Sequence, residues 1–257
     1  MEALDKSTSQ NEFAQRMYQP VVLEEDQVAL LEPEETINCA RFKPAQAGEL
    51  PVVATAHVVG SVKLHHAVSN DEDRPDFETA FEFKDHFFPV NDLHFAQVNP
   101  WLATCSNDTI VNLFDIEKGQ LCRSFIGGHQ SLVTKCMINK HENMLLSAGA
   151  DNNLYIWDIR QNKVIQKLLA HPEPITALDI SFDSTMIMTA AYDGYVRLWD
   201  FHKSTCIKTI VAETGSTSAV SACKLTPNSE YIFIANMNGQ LGMYDLQSNL
   251  VKAYLGH

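Results

Sequence analysis

The sequence predicts an all-β protein of about five four-stranded antiparallel sheets set around a common axis, which is the architecture of a β-propeller. The first observation behind this prediction is an internal repeat: a segment of three strands recurs along the chain. Three copies align closely, at residues 90–115, 133–158 and 175–200, and two divergent copies flank them at residues 37–66 and 220–245. Each copy reads as a strand, a polar turn, a second strand that ends in small residues, a tight turn and a third strand. Repetition at a fixed period is typical of folds built from radially repeated units.

The second observation is the way in which the copies end. Their closing dipeptides lie at residues 65–66, 114–115, 157–158, 199–200 and 244–245, so the spacing is 49, 43, 42 and then 45 residues. Two of these dipeptides are Trp-Asp, at Trp157 and Trp199. A period of about 40–45 residues with Trp-Asp endings is the sequence mark of WD40 repeats. From about residue 27 onward the chain therefore resembles the WD40 family, and this resemblance implies a propeller.

A fourth strand is predicted after each copy, where apolar and polar residues alternate. The five segments read FETAFEF, QLCRSFIGG, KVIQKLLAH, TCIKTIVAE and LVKAYLGH. Such alternation indicates a half-buried strand, which completes a four-stranded blade. We expect residues 27–257 to form the propeller domain and residues 1–26, which are mostly polar, to form a disordered or loosely attached segment. Residues 70–76 (NDEDRPD) are an acidic insertion that explains the long first spacing.

The composition disfavours several classes of function. The chain has 257 residues, of which 32 are acidic and 19 basic, for a formal net charge of -13. Direct binding of nucleic acid or of an anionic membrane is therefore not expected. The six cysteines never lie closer than 14 positions apart, and no phosphate-binding loop, zinc-protease or nucleophile-elbow motif is present. We expect no catalytic residue, metal or cofactor, and the lack of a signal peptide at the start favours an intracellular protein.

The WD40 resemblance implies a hydrogen-bonded set of side chains in a blade: a His before the first strand, a Ser or Thr on the second, an Asp in the tight turn, and the Trp. Blade three carries His129, Ser147, Asp151 and Trp157, and blade four carries His171, Thr189, Asp193 and Trp199. Blade two has His86, Thr104 and Asp108 but Phe114 in place of Trp. Thr55 remains in blade one, and in blade five Ala235 is assigned to the Ser/Thr site and Asn238 to the turn. A His–Ser–Asp set could also suggest a hydrolase, but a catalytic triad occurs once, whereas this set recurs.

The later repeats also resemble one group of WD40 proteins, the WD-repeat protein 5 type subunit of COMPASS/MLL histone H3 lysine-4 methyltransferase complexes. The shared features are an irregular, His-free connection at residues 212–218 and the sequence YLGH at residues 254–257. This resemblance implies a non-enzymatic scaffold in the nucleus that binds methyltransferase-complex subunits, and a histone tail, through short peptide segments. The alternative is a WD40 adaptor of another assembly, such as an RNA-processing complex or a ubiquitin ligase, with the cytoplasm as the alternative compartment.

The same resemblance places the peptide site at one mouth of the central channel, around the second residue of each inner strand. The predicted ring is Asn38, Asn91, Thr134, Thr176 and Ser221, and the further mouth residues are Asn107, Pro174 and Tyr192. Where this group clamps a ligand arginine between two phenylalanines, one of the two positions is Thr134, so a guanidinium sandwich is not expected. The alternative interpretation is that the ring consists of ordinary solvated channel residues.

The two ends of the chain supply one outer strand too many for a closed five-blade ring, provided that residues 27–31 (QVALL) form a strand. In longer propellers such a first strand completes the last blade. The sequence therefore predicts an incomplete, truncated form of a seven-blade propeller with open blade edges. Because an open strand edge pairs readily with another chain, self-association or addition of a partner is expected.

Overall fold

The structure, a computed structural model, describes residues 36–44, 50–68, 77–211 and 218–255. These residues form five four-stranded sheets, here called blades one to five. Blade one contains β1 (Ile37–Phe42), β2 (Val52–His57), β3 (Val62–Ala67) and β4 (Phe77–Phe83). Blade two contains β5 (Val90–Phe95), β6 (Trp101–Ser106), β7 (Val111–Asp115) and β8 (Gln120–Phe125). Blade three contains β9 (Val133–Ile138), β10 (Met144–Gly149), β11 (Asn153–Asp158) and β12 (Lys163–Leu169).

The last two blades repeat the pattern. Blade four contains β13 (Ile175–Ile180), β14 (Met186–Ala191), β15 (Tyr195–Asp200) and β16 (Cys206–Val211). Blade five contains β17 (Val220–Leu225), β18 (Tyr231–Asn236), β19 (Gln240–Asp245) and β20 (Leu250–Leu255). Consecutive strands pair antiparallel within each blade, and the first strands (β1, β5, β9, β13 and β17) contact one another from blade to blade. The first strand of each blade is therefore innermost, and the fourth is outermost and largely exposed.

The tight turn between the second and third strands has the same backbone character in all five blades. One residue in each turn has a positive φ, between 66° and 88°: Gly60, Thr109, Asn152, Gly194 and Gly239. Glycine adopts this left-handed conformation at little cost, and asparagine tolerates it better than most residues. At Gly60 a Cβ atom would lie 2.5 Å from the backbone oxygen of His86, so both the turn and the neighbouring chain require glycine there.

The core consists of layers of apolar side chains between successive blades rather than one central cluster. Leu64 and Phe114 lie between blades one and two, Phe125 and Trp157 between two and three, Ile156 and Trp199 between three and four, and Leu198 and Ile232 between four and five. Within the described residues no apolar cluster joins blade five to blade one. Among these residues, one face of blade five therefore lacks the apolar cover that each inner blade receives on both faces.

The prediction of an all-β fold made of four-stranded blades is confirmed, and each predicted fourth strand is present as the outermost strand. No helix in the described ranges is long and apolar enough to cross a membrane. Residues 1–26, the predicted strand at 27–31 and the acidic insertion at 70–76 lie outside the described residues. The domain boundaries and the self-association of open edges stay predictions.

One assignment made from the sequence is wrong by one residue. In blade five, Ile234 pairs with Cys223 in the way that Thr189 of blade four pairs with Leu178. Ile234 therefore occupies the position of the Ser/Thr residue. Because side chains alternate along a strand, Ala235 points to the opposite face of the blade.

Candidate functional site

The second residue of every inner strand lies on a β-bulge. In all five blades the pairing between the first and second strands shifts register there, so this residue has no partner directly opposite. A bulge re-aims a side chain out of the regular pleat. The residues concerned are the predicted ring: Asn38, Asn91, Thr134, Thr176 and Ser221. The structure thus brings the five together at one end of the inner strands.

Four of these ring residues fasten their blade to the next one. Each donates a hydrogen bond to the backbone oxygen of the first residue of the next inner strand: Asn38 to Val90 at 3.0 Å, Asn91 to Val133 at 2.7 Å, Thr134 to Ile175 at 2.7 Å and Thr176 to Val220 at 2.6 Å. Ser221 donates to Ala235 in its own blade at 3.0 Å. The ring therefore has a structural role. Its hydroxyls, those of Thr134, Thr176 and Ser221, can still accept hydrogen bonds, because a hydroxyl that donates its one hydrogen keeps acceptor lone pairs.

The further mouth residues lie just outside this ring. The side-chain oxygen of Asn107 accepts a hydrogen bond from Asn91 Nδ2 at 2.8 Å. Tyr192 donates its backbone N–H to the oxygen of Pro174 at 3.1 Å, and Tyr192 is 49% exposed. The mouth therefore combines acceptor oxygens with an exposed aromatic ring, a residue type enriched in protein–protein contacts.

Blade three contains a buried, hydrogen-bonded set of four side chains. His129 Nε2 lies 2.7 Å from Ser147 Oγ, and His129 Nδ1 lies 3.1 Å from Asp151 Oδ1. Trp157 Nε1 donates to Ser147 Oγ at 2.8 Å. The four residues grouped by the sequence are thus in contact, and they join the chain before β9 to β10, to β11 and to the turn between them.

Blade four repeats this set with the same connections. His171 lies 2.9 Å from both Thr189 Oγ1 and Asp193 Oδ2, and Trp199 Nε1 donates to Thr189 Oγ1 at 2.9 Å. Among the four side chains, one arrangement of hydrogens gives each a partner: the indole donates to the hydroxyl, the hydroxyl donates to Nε2, and the protonated Nδ1 donates to the carboxylate. The imidazole is then neutral. Blade four adds a further contact, since Arg197 Nη1 lies 2.6 Å from His171 Nδ1 and 3.2 Å from Asp193 Oδ2.

The electrostatics of the two sets agree with this arrangement. Burial lowers the pKa of His171, and Asp193, which acts in the opposite direction, is countered by the nearby cation of Arg197. Burial raises the pKa of Asp151, but the hydrogen bond and electrostatic attraction of His129, together with the backbone N–H groups of Gln130 and Asn153, outweigh it, so that this pKa lies below its usual range. Ser147 and Thr189 are fully buried. Because no substrate can reach these hydroxyls, the sets stabilise the blades and are not catalytic triads.

Blade two has the set without its fourth member. His86 lies 2.7 Å from both Thr104 Oγ1 and Asp108 Oδ2. Phe114 cannot donate a hydrogen bond, and its ring packs 4.4 Å from the ring of Phe83, measured between centroids. Apolar packing therefore replaces the indole hydrogen bond in this blade.

Blade one has a substitute set that the sequence did not predict. Thr55 Oγ1 lies 2.9 Å from His57 Nε2 and 3.0 Å from His65 Nε2. His65 follows Thr55 by ten residues, as Trp157 follows Ser147, so an imidazole stands in the register of the indole. The only signal in the sequence is this spacing.

In blades two, three and four the acid of the closing dipeptide has a role of its own, which the sequence analysis does not assign. Asp115, Asp158 and Asp200 each accept hydrogen bonds from the second and third backbone N–H groups that follow, at 2.7–3.0 Å. Such a bond satisfies turn N–H groups that have no strand partner. These aspartates therefore shape the turn into the outermost strand.

Charged side chains that are far apart in the sequence meet inside the channel. Asp92 of β5 lies 3.3 Å from Arg41 of β1 and 3.7 Å from Lys135 of β9. Asp179 of β13 pairs with Lys224 of β17. These pairs are not predicted by any pattern in the sequence. The part of the chain that the structure describes holds no group of His, Cys, Asp and Glu residues suited to a metal ion.

Comparison with known protein families identifies the type of repeat in the chain. The family model described as "WD domain, G-beta repeat" matches residues 77–115, 119–158 and 162–200. Each match begins near the outermost strand of one blade and ends with the third strand of the next. The part of the chain from the outermost strand of blade one to the third strand of blade four therefore contains WD40 repeats.

Three curated relatives show the range of this class. The chain is 27% identical over 148 residues to the nuclear distribution protein PAC1 of Candida tropicalis, covering 57% of this chain and 28% of that protein. It is 30% identical over 157 residues to autophagy-related protein 16 of Arabidopsis thaliana, covering 61% and 30%. It is 27% identical over 95 residues to the COMPASS component SWD3 of Saccharomyces cerevisiae, covering 37% and 30%. The chain thus spans less than a third of the length of these relatives. Their names refer to different proteins and do not point to a single complex.

Proposed function

We propose that this chain is a non-enzymatic WD40 scaffold that binds short peptide segments at the mouth of its channel, as a nuclear subunit of a COMPASS-like histone H3 lysine-4 methyltransferase complex. The observation that carries the peptide-binding part is that the exposed Tyr192, whose backbone N–H bonds to Pro174 just before β13, lies at the same end of the inner strands as the hydroxyl oxygens of Thr134 and Thr176. These oxygens are held in place by the hydrogen bonds that fasten the blades.

The chemistry of the mouth favours ligands that donate hydrogen bonds. Thr134 and Thr176 have committed their hydrogens to backbone oxygens and can accept hydrogen bonds from a ligand. Backbone N–H groups of an extended peptide, or the basic side chains of a histone tail, are suitable donors. Because the inner strands already fix these positions, binding costs little ordering of the protein.

The COMPASS assignment rests on similarity rather than on the site. The chain resembles the WD-repeat subunit of such complexes in its last repeats, and SWD3, a relative at 27% identity, is named as a COMPASS component. The alternative is another WD40 adaptor, and the other relatives keep that alternative open.

Affinity purification of the tagged full-length protein from its own cells, followed by mass spectrometry, tests this assignment. We expect the subunits of a histone methyltransferase complex to co-purify in stoichiometric amounts. RNA-processing or ubiquitin-ligase subunits in their place would overturn the COMPASS assignment and leave a WD40 adaptor of that other assembly.

A pair of matched variants tests the mouth itself. Tyr192→Ala removes an exposed aromatic ring at the mouth, and Phe182→Ala removes another, 58% exposed, at the opposite end of the same blade. We expect Tyr192→Ala to reduce recovery of the partner subunits several-fold and Phe182→Ala to leave it unchanged. Equal recovery with both variants would exclude the mouth as the binding site.

A further inference from the structure

The channel below the ring carries charge at two positions of the inner strands, the third and the fifth. Asp92 and Lys135 occupy third positions, and Arg41, Asp179 and Lys224 occupy fifth positions. The two carboxylates and the three cations come from five different blades, and each carboxylate pairs with a cation of a neighbouring blade.

The carboxylates are buried and fully engaged, whereas the cations reach solvent. The side chains of Asp92 and Asp179 are 3% and 4% exposed, but those of Arg41, Lys135 and Lys224 are 46%, 29% and 60% exposed. Asp92 also accepts from the thiol of Cys39, and Asp179 from the backbone N–H of Leu225 at 2.7 Å. The surface that this part of the channel offers to a ligand is consequently positive.

These cations line a cavity of about 270 Å³ that has one apolar wall. Arg41, Lys135 and Lys224 supply the charge, and Phe233, Ala235 and Leu241 of blade five belong to the apolar lining. The cavity thus combines three side chains that can donate charge-assisted hydrogen bonds with an apolar surface whose burial is favourable.

The apolar wall is the face of blade five that lacks cover. The register of the strands makes Phe233, Ala235 and Leu241 equivalent to Met188, Ala190 and Val196 of blade four. Those three residues of blade four are fully buried beneath blade five. The corresponding residues of blade five are only partly buried, so an added segment would gain hydrophobic stabilisation there.

The field of the cations extends to a histidine in the same channel. The pKa of His94 on β5 is lowered to about 4, first because of burial and further because of the charges of Lys224 and Arg41, while Asp92 acts in the opposite direction. His94 is therefore neutral at physiological pH and adds no charge of its own to the channel. The cavity is a positive site in a chain whose formal net charge is -13, and such a local field attracts anionic groups.

We propose that this cavity binds an acidic peptide segment of a partner protein, whose carboxylates pair with Arg41, Lys135 and Lys224 while an apolar side chain packs on Phe233 and Leu241. In an extended peptide, residues two apart point to the same side and lie about 6–7 Å from each other. An acidic residue and an apolar residue at this spacing match the cationic and apolar walls. This site goes beyond the proposed function, since the mouth offers acceptors to a ligand and the cavity offers donors.

Fluorescence anisotropy of the full chain with a defined peptide tests the proposal. The probe is the dye-labelled, C-terminally amidated peptide Gly-Ser-Glu-Ser-Leu-Ser-Glu-Ser-Leu-Gly, in which only side chains carry negative charge. We expect saturable binding that weakens as salt is raised. Replacing both glutamates by glutamine should weaken binding by about tenfold or more, because hydrogen bonds to charged groups are the strong ones.

Matched protein variants locate the site. Arg41→Gln, Lys135→Gln and Lys224→Gln should each weaken binding about fivefold, the upper range for a solvent-accessible pair. Lys163→Gln, at an exposed position on β12 far from the cavity, should have no effect. Phe233→Ala should also weaken binding, and Phe182→Ala should not.

The peptide variants keep the proposal testable even if a cavity variant fails to fold, because they use the unaltered protein. Equal affinity for the glutamate and glutamine peptides would overturn the proposal. So would the absence of saturable binding, or an effect of Lys163→Gln as large as that of Lys224→Gln. The proposed function is tested separately, since we expect Tyr192→Ala to leave binding of this peptide unchanged.

Discussion

Blades four and five have the same four-strand meander and the same bulge, yet they are stabilised differently. Blade four holds a complete hydrogen-bonded set around Thr189 and is covered on both faces. Blade five has Ile234 where that hydroxyl lies, and the part of the chain that the structure describes leaves one of its faces only partly buried. Strand pairing and alternating apolar residues thus suffice to form a blade. The polar set and the second apolar interface are additional sources of stability.

The uncovered face provides the largest expected difference between the two blades. Leu198 of blade four and Met243 of blade five occupy the same register, but Leu198 is buried and Met243 is only partly buried. Leu198→Ala should lower the free energy of unfolding by about 2–5 kcal/mol, since it leaves a cavity in a packed layer. Met243→Ala should lower it by less than about 1 kcal/mol.

Urea denaturation followed by circular dichroism measures both values. If the two substitutions cost the same, the face of blade five is covered in solution as fully as that of blade four. The distinction drawn between the blades, and the apolar wall of the cavity, would then both be wrong.

The polar set provides the next largest difference. Thr189→Val keeps the shape of the side chain but leaves Trp199 Nε1 without its acceptor and His171 Nε2 without its donor. We expect a loss of about 2–4 kcal/mol in the free energy of unfolding, because two buried polar groups lose their partners. Ile234→Val places the same residue at the equivalent position of blade five and should cost about 0.5–1.5 kcal/mol.

The same denaturation experiment applies, with the near-ultraviolet signal of Trp199 as a second readout. A loss for Thr189→Val no larger than that for Ile234→Val would show that the hydrogen-bonded set contributes nothing beyond packing volume.

The sequence predicted the parts of the structure that recur. The strands follow from the period and the alternation, and the sets around Ser147 and Thr189 follow from fixed spacings within one blade. Ala235 was misassigned because blade five has no hydroxyl to mark the position, and alternation alone leaves the register ambiguous by one residue.

The charge pairs of the channel could not be predicted in the same way. Asp92 and Arg41 are 51 residues apart, and their meeting depends on which inner strands face each other and on how far each side chain reaches. The role of the ring was only half predicted for a related reason. The five ring residues occupy equivalent positions because the sequence repeats. Their hydrogen bonds to the next blade depend on the bulge, which the sequence does not show.

The ring provides the smallest expected difference between the blades. Thr176 of blade four donates to Val220 of blade five, whereas Ser221 of blade five donates within its own blade. Thr176→Val should lower the free energy of unfolding by about 1 kcal/mol, the usual net contribution of such a bond. Ser221→Ala should change it by less than about 0.5 kcal/mol, because Ser221 is exposed and fastens no second blade. Hydrogen exchange of the amides of β17 is the more sensitive measurement, since the lost bond loosens β17 from β13 and should raise exchange there before it changes the global midpoint. If Ser221→Ala raised exchange in β17 as much as Thr176→Val, the fastening would lie within blades rather than between them.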